Sequence, residues 1–167
     1  MEFPKPLESI WAPWRVQYFS IDKSHDFLTE AAQSSDDAGH LVVSRRKNTF
    51  LIMNSFPYAM GHMMAVPYRK VAEIADLTEQ ERLELWELAA HAQTLLRKTI
   101  KAEGFNVGLN LGKCAGAGYA DHLHLHIVPR WFGDTSFMAV LGDIRVMPEA
   151  LASLYARLVE AQKELAG

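Results

Sequence analysis

The stretch DHLHLHIVPR, residues 121–130, alternates imidazole with apolar side chains: His122, His124 and His126 against Leu123, Leu125 and Ile127. Successive side chains of a strand project to opposite faces, so a period of two predicts a strand. On a helix the same six residues would scatter around the axis and leave no apolar stripe. Such a strand has its aliphatic side against a core, while its other side is all histidine. The chain must therefore form a sheet, cover one face with an apolar layer, and give three imidazoles a use on the other. The whole chain has seven histidines, so nearly half of them stand on this one face.

Other runs supply the partners of that strand. HLVVSR, TFLIMN and HMMAVP read as three strands. The second and third are joined through SFPYAMG, where Pro57 and Gly61 predict a hairpin turn. VAEIADL predicts a short helix. A long helix follows, with Thr78 as N-cap and Glu81 three residues on, the two halves of a capping box. Leu83, Trp86, Ala90 and Leu95 recur along it at helical spacing, and Gly104 ends the pattern. FNVGLNLG alternates again, with Phe105, Val107, Leu109 and Leu111 on one side and Asn106 and Asn110 on the other. The tail MPEALASLYARLVEAQKEL predicts a last helix, with Pro148 in its first turn and Leu151, Leu154, Tyr155 and Leu158 in a stripe. Hairpin strands with helices between and after them predict an α+β domain: an antiparallel sheet of about five strands with packed helices.

The chain of 167 residues is expected to be one domain over residues 1–167. Within it, residues 1–37 read as an irregular extension, 38–131 as the core and 132–167 as a C-terminal segment and helix. TEAAQSSDDAG reads as a polar linker or a frayed helix. Trp11 and Trp14, beside prolines, read as packing anchors, and Arg69 and Lys70 as a solvated basic pair.

Bulk properties exclude several function classes. A net charge of −3 provides no broad basic surface, so nucleic acid is not expected as a partner. No apolar run reaches the roughly 18–20 residues of a membrane span, and MEFPKPLESIW lacks the order of a secretion signal. The single cysteine, Cys114, permits no internal disulfide and no cysteine-based zinc cluster. A soluble, cytoplasmic protein is the expectation, with no membrane partner.

Two chemistries suit three alternate histidines. Neutral imidazole is a zinc ligand, which makes a zinc-dependent hydrolase one reading; His62 is available to join them, but no carboxylate motif or second histidine cluster stands out. Alternatively, one histidine is a nucleophile. Three crowded imidazoles cannot all be protonated cheaply, so their pKa values separate, as nucleophile and acid roles require. The loop GKCAGAG just upstream has small residues and exposed backbone N–H groups suited to an anion. Beside a histidine face it points to phosphate, and so to nucleophilic phosphoryl transfer.

On these residues the chain resembles the histidine triad family of nucleotide hydrolases and transferases, whose signature alternates histidine and apolar residues as HLHLHIV does. FLIMNSFPYAMGHMMAVPYR resembles the family's hairpin, GFNVGLNLG its strand before the loop and AGAG its phosphate loop, so the likeness spans roughly residues 38–131. IWAPWR and PRWFGDTSF resemble the bacterial branch related to diadenosine tetraphosphate phosphorylases and hydrolases.

The resemblance implies a two-step reaction. His124 attacks the α-phosphorus of a nucleotide to form a nucleotidyl-histidine, which water or phosphate then releases. It further implies that His122 orients the site, that His126 contacts phosphate and assists the leaving group, and that His62 is the fourth histidine. Asn54 falls at a ribose-contacting position, Asn110 near the phosphates, and Gly116 and Gly118 in the phosphate loop. Arg130 is a further phosphate candidate. The implied substrate is a dinucleoside polyphosphate such as diadenosine tetraphosphate, and the implied assembly a homodimer built on the FNVGLNLG strand and the long helix.

Many members carry a Cys-x-x-Cys that helps hold a structural zinc. Here HDFL stands in its place, with His25 and Leu28 at the cysteine positions, so no metal site is expected. No cofactor is required for the chemistry, although a divalent metal can accompany the polyphosphate. The phosphate loop AGAGYAD also lacks the polar residue that other branches place before the triad. A nucleoside phosphoramidase is the alternative within the family, and a nucleotide-binding regulatory protein with a vestigial site the alternative outside catalysis.

Overall fold

The computed structural model describes residues 26–134 and 149–166; the WAPWR segment and Pro148 lie outside them. Eight elements follow in order: α1 Phe27–Gln33, β1 Val42–Arg45, β2 Thr49–Met53, β3 Met63–Pro67, α2 Glu79–Ile100, β4 Gly104–Leu109, β5 Leu125–Arg130 and α3 Leu151–Ala166. The five strands form one sheet in the order β1-β2-β3-β5-β4, with every neighbouring pair antiparallel. The expected α+β architecture is thus present, with the hairpin at β2–β3.

The alternation of the strands builds two apolar layers. Leu51, Met53, Met63, Ala65, Leu125 and Ile127 face α2 and α3 in the larger one, together with Leu88, Leu95, Leu96, Leu154 and Leu158. Phe50, Ile52, Met64 and Val66 face the other way and meet Leu28 and Ala31 of α1. β2 and β3 are buried along their whole length because helices cover both of their faces. His126 lies between two residues of the larger layer, Leu125 and Ile127, and so projects on the α1 side.

Four local expectations change. Residues 27–33 are helical, although the sequence up to residue 37 read as irregular. Asp26 caps this helix, accepting from the N–H groups of Leu28 and Thr29. Arg45 holds its far end, donating to the carbonyls of Ala31 and Ser34, so tertiary contacts make a helix too short to stand alone.

The predicted helix over VAEIADL is only a single 3-10 turn, Ile74–Asp76, with no side-chain cap. Arg69 spans this turn instead, donating to the Asp76 carbonyl and to the Glu81 carboxylate, so Arg69 is not a free surface cation.

Third, the capping box of α2 is present as expected, but Leu83, Trp86 and Ala90 do not face the sheet. Leu85, Leu88, Ala89, Ala92, Leu95 and Leu96 do, while Trp86 is 62% exposed. The helix has two apolar stripes, and helical spacing alone does not say which one the sheet takes. Fourth, α2 ends at Ile100, where Lys101 adopts a left-handed conformation, and Gly104 instead opens β4.

One buried acid secures the side of the sheet away from the histidines. Glu84 of α2 accepts from the Asn48 backbone and amide and from the Thr49 hydroxyl, which pins the β1–β2 turn to the helix. Among the described residues no helix is long and apolar enough to cross a membrane.

Candidate active site

The regular ladder of β5 starts at Leu125, so only His126 of the three histidines lies within it. The alternation nevertheless continues upstream. Leu123 joins the larger core, while His122 and His124 are buried among other groups. All three rings, and that of His62 beside β3, are at least 93% buried. Four imidazoles this dry must settle their protons among themselves and the backbone.

The hydrogen bonds assign those protons. His124 Nδ1 lies 2.8 Å from the His122 carbonyl oxygen, which can only accept, so Nδ1 carries the proton. Nε2 of His124 is left with its lone pair. Burial lowers the pKa of His124 below the ordinary 6.5, against the pull of that carbonyl, which keeps the ring neutral at neutral pH.

The second chain of bonds runs through His62. The Tyr58 N–H donates to His62 Nδ1 at 3.1 Å and the Asn54 amide approaches the same nitrogen at 3.3 Å. His62 therefore carries its proton on Nε2, which donates to His126 Nδ1 at 2.9 Å. His126 in turn carries its proton on Nε2. Asn110 Nδ2 lies 3.4 Å from that atom; a half-turn of the amide, which leaves its shape unchanged, brings its oxygen in as the acceptor. Burial, with the neighbouring His124 charge second, draws the His126 pKa down to about 4. The rings of His124 and His126 meet edge to face with centroids 4.8 Å apart. One ring thus offers a lone pair beside another that offers an N–H.

The remaining sequence candidates divide. Asn54 is brought to the site, but its oxygen accepts from the Phe56 N–H, so its amide sets the hairpin turn as well as His62. Asn110 directly follows β4, where Gly108 pairs with His126. The loop between β4 and β5 makes a 3-10 turn, Lys113–Ala115, closed by Gly116 in the left-handed region at φ 89°. A Cβ at Gly112 or Gly116 would meet no atom within 4 Å, and Gly118 and Cys114 are exposed.

Arg130 is not brought to the histidines. It sits four residues beyond His126, roughly 13 Å along the strand. Its guanidinium pairs with both oxygens of Asp134, at 2.5 and 2.7 Å, and with Asn106.

Two neighbours were not legible as site residues. The Tyr58 ring lies over His62 and His126, with centroids 4.6 and 5.6 Å away. Asp26 approaches His122, its Oδ2 lying 3.8 Å from Nδ1. The only signal for Asp26 was its capping position ahead of FLTE. Lys70, read as solvated, bridges Asp26 and Asp121 at 2.8 Å each.

At the zinc-associated stretch, His25 lies outside the described residues. Leu28, at the second cysteine position, has no donor and is fully buried in the apolar layer under α1. Among the described residues no three His, Cys, Asp or Glu side chains converge as a metal site.

A neutral imidazole with an available lone pair, a neighbouring N–H and a glycine loop match the triad arrangement, and the comparison with known families agrees. The HIT domain model matches residues 36–133. The chain belongs to the HIT family. A relative in Mycobacterium tuberculosis, named AP-4-A phosphorylase, is 41% identical over 156 residues, covering 87% of this chain and 79% of that one. The Schizosaccharomyces pombe bis(5'-nucleosyl)-tetraphosphatase (asymmetrical) is 32% identical, covering 70% of this chain and 64% of its own. Among solved structures, a zinc-bound histidine triad family protein from Mycobacterium smegmatis superposes with a TM-score of 0.67 at 24% identity, over 83% of this chain and 93% of that one. That likeness bears on the fold of this HIT protein alone.

Proposed function

We propose that this HIT protein cleaves a dinucleoside polyphosphate such as diadenosine tetraphosphate through a covalent nucleotidyl-His124. The observation that carries the reading is the His124–His122 hydrogen bond, which commits the Nδ1 proton to a carbonyl and leaves Nε2 as a nucleophile. Nε2 attacks the α-phosphorus, the bond to the bridging oxygen breaks, and a nucleoside triphosphate leaves from the tetraphosphate. His126 Nε2–H, held in that tautomer by the His62 bond to Nδ1, serves as the donor to phosphate or to the departing oxygen. Backbone N–H groups of the 112–118 loop, with Asn110, hold the phosphate oxygens. His122 orients His124, and Asn54 lies where a ribose contact is expected.

Transfer of the nucleotidyl group to phosphate then yields a nucleoside diphosphate, and transfer to water a monophosphate. The relative named AP-4-A phosphorylase spans most of the chain, which favours phosphate. No protein-bound metal takes part, and a divalent cation arrives only with the polyphosphate.

The protein works as a homodimer in the cytoplasm. Among the described residues β4 is an edge strand of the sheet, and the exposed Leu83 and Trp86 of α2 supply an apolar surface for a second copy.

The test incubates purified protein with diadenosine tetraphosphate, with and without phosphate, and identifies the products. ADP and ATP with phosphate, or AMP and ATP without it, support the reading. His124→Ala should lose at least a thousandfold in kcat while still binding nucleotide. Full activity in that variant overturns the mechanism. Turnover confined to a nucleoside phosphoramidate instead overturns the substrate class, and activity abolished by chelation in the absence of added divalent cation overturns the metal-free chemistry.

A further inference from the structure

We propose that Asp26 is a positioning residue for the His124 nucleophile, acting through His122. It comes from a helix cap 96 positions before the triad. This proposal rests on the reading of His124 as nucleophile given above.

The His122 ring is fully buried. Its Nε2 lies 2.9 Å from the Pro67 carbonyl oxygen, so Nε2 carries a proton. The other nitrogen, Nδ1, is buried and has no hydrogen-bond partner among the described residues. The charged group in front of it is Asp26, whose Oδ2 stands 3.8 Å away. A bare lone pair there would face a carboxylate in dry surroundings, which repels; an N–H would be attracted. The carboxylate thus acts on the His122 ring from the side opposite Pro67.

Asp26 is itself fixed on every side. Oδ1 accepts from the Leu28 and Thr29 N–H groups, and Oδ2 accepts from the Thr29 hydroxyl at 2.8 Å and from Lys70 at 2.8 Å. Burial would raise its pKa, but the Lys70 ammonium and the Thr29 groups outweigh burial and hold it at about 2. Lys70 then reaches Asp121, the residue before His122. Side chain and backbone of residue 122 are therefore clamped between Pro67 on β3 and the start of α1.

That clamp matters because the His122 carbonyl is the acceptor for His124 Nδ1–H. As Nε2 bonds to phosphorus the imidazole becomes cationic, and the carbonyl must stay on its proton throughout. An unanchored His122 ring rocks about its contact with Pro67 and carries the carbonyl with it. The Asp26 charge also favours the positive charge that develops on His124.

Asp26→Asn separates this role from capping, because asparagine caps a helix about as well as aspartate. The variant should keep its fold and KM, within about twofold, while kcat for diadenosine tetraphosphate falls on the order of tenfold or more. In long-range proton–nitrogen spectra at neutral pH, the His122 ring signals should shift. Asp26→Ser, also a neutral cap, should behave alike and stands in if the first variant folds poorly. Unchanged kcat, or unchanged His122 ring signals, in a folded variant overturns the proposal. Wild-type protein inactive on every dinucleoside polyphosphate would instead remove the nucleophile reading, and the spectra would still decide whether Asp26 acts on the His122 ring.

Discussion

Replacing His126 by glutamine tests how dry the histidine cluster is. In the folded protein burial holds the His126 pKa at about 4, against 6.5 for an unrestrained imidazole. Below pH 6.5 the unfolded chain takes up a proton that the folded one refuses. The folded state is therefore favoured above pH 6.5 and loses that advantage as pH falls from 6.5 through about 4. The full difference is ~3 kcal/mol. Urea unfolding at pH 7, 6, 5 and 4 on wild type and His126→Gln measures it. The stability of wild type minus that of the variant should decline by ~3 kcal/mol between pH 7 and 4. Asp26 and Glu81, both drawn down to about 2, shift the stability of both proteins at low pH and cancel in the difference. A difference that stays flat to within ~0.5 kcal/mol would refute the reasoning, because His126 would then be charging without cost. The same burial lowers His124, so the acid limb of kcat/KM should fall below pH 6.5.

Three further perturbations probe the scaffold and the assembly. Glu84→Ala leaves the Asn48 N–H and the Thr49 hydroxyl without their buried acceptor and should cost about 2–4 kcal/mol in urea unfolding, with nucleotide binding retained. Gly61→Ala asks for a Cβ at φ 78° that would stand 2.7 Å from Ile100 Cδ1 and 2.8 Å from Leu96 Cδ2; unfolding should shift by about 2 kcal/mol or more, and kcat should drop because His62 is the next residue. Trp86→Asp should convert a dimer to monomer in light scattering while the folded monomer keeps its circular dichroism, and a dimer that persists would place the interface elsewhere.

Much of the site could be read directly from residue order. Three histidines at a period of two needed only the alternation of a strand to share a side, and the glycine loop needed only to precede them. The Thr78–Glu81 capping box was legible for the same reason, since both partners lie within one turn. What resisted reading was anything decided by contact across the chain. The alternation could not show that the ladder starts at Leu125, because that depends on where β3 ends its pairing with β5. Nor could helical spacing choose between the two apolar stripes of α2. Arg130 looked like a phosphate ligand by proximity in sequence, yet four residues of extended chain carry it well away from His126, to Asp134.

By itself, then, the sequence determined the α+β pattern, the hairpin, the histidine face and the neighbouring loop, each a matter of period or of residues a few positions apart. Only the tertiary structure decided the protonation of that face. Which ring nitrogen holds a proton depends on groups from Pro67, Tyr58, Asn110 and the carbonyl of His122, brought within about 3.5 Å by the packing of β3, β4 and β5. It likewise turned Asp26, a helix cap in a stretch that read as irregular, into the charged neighbour of the first histidine. Hydrogen bonds and electrostatics fall off over a few ångströms in space, and separation along the chain does not report that distance.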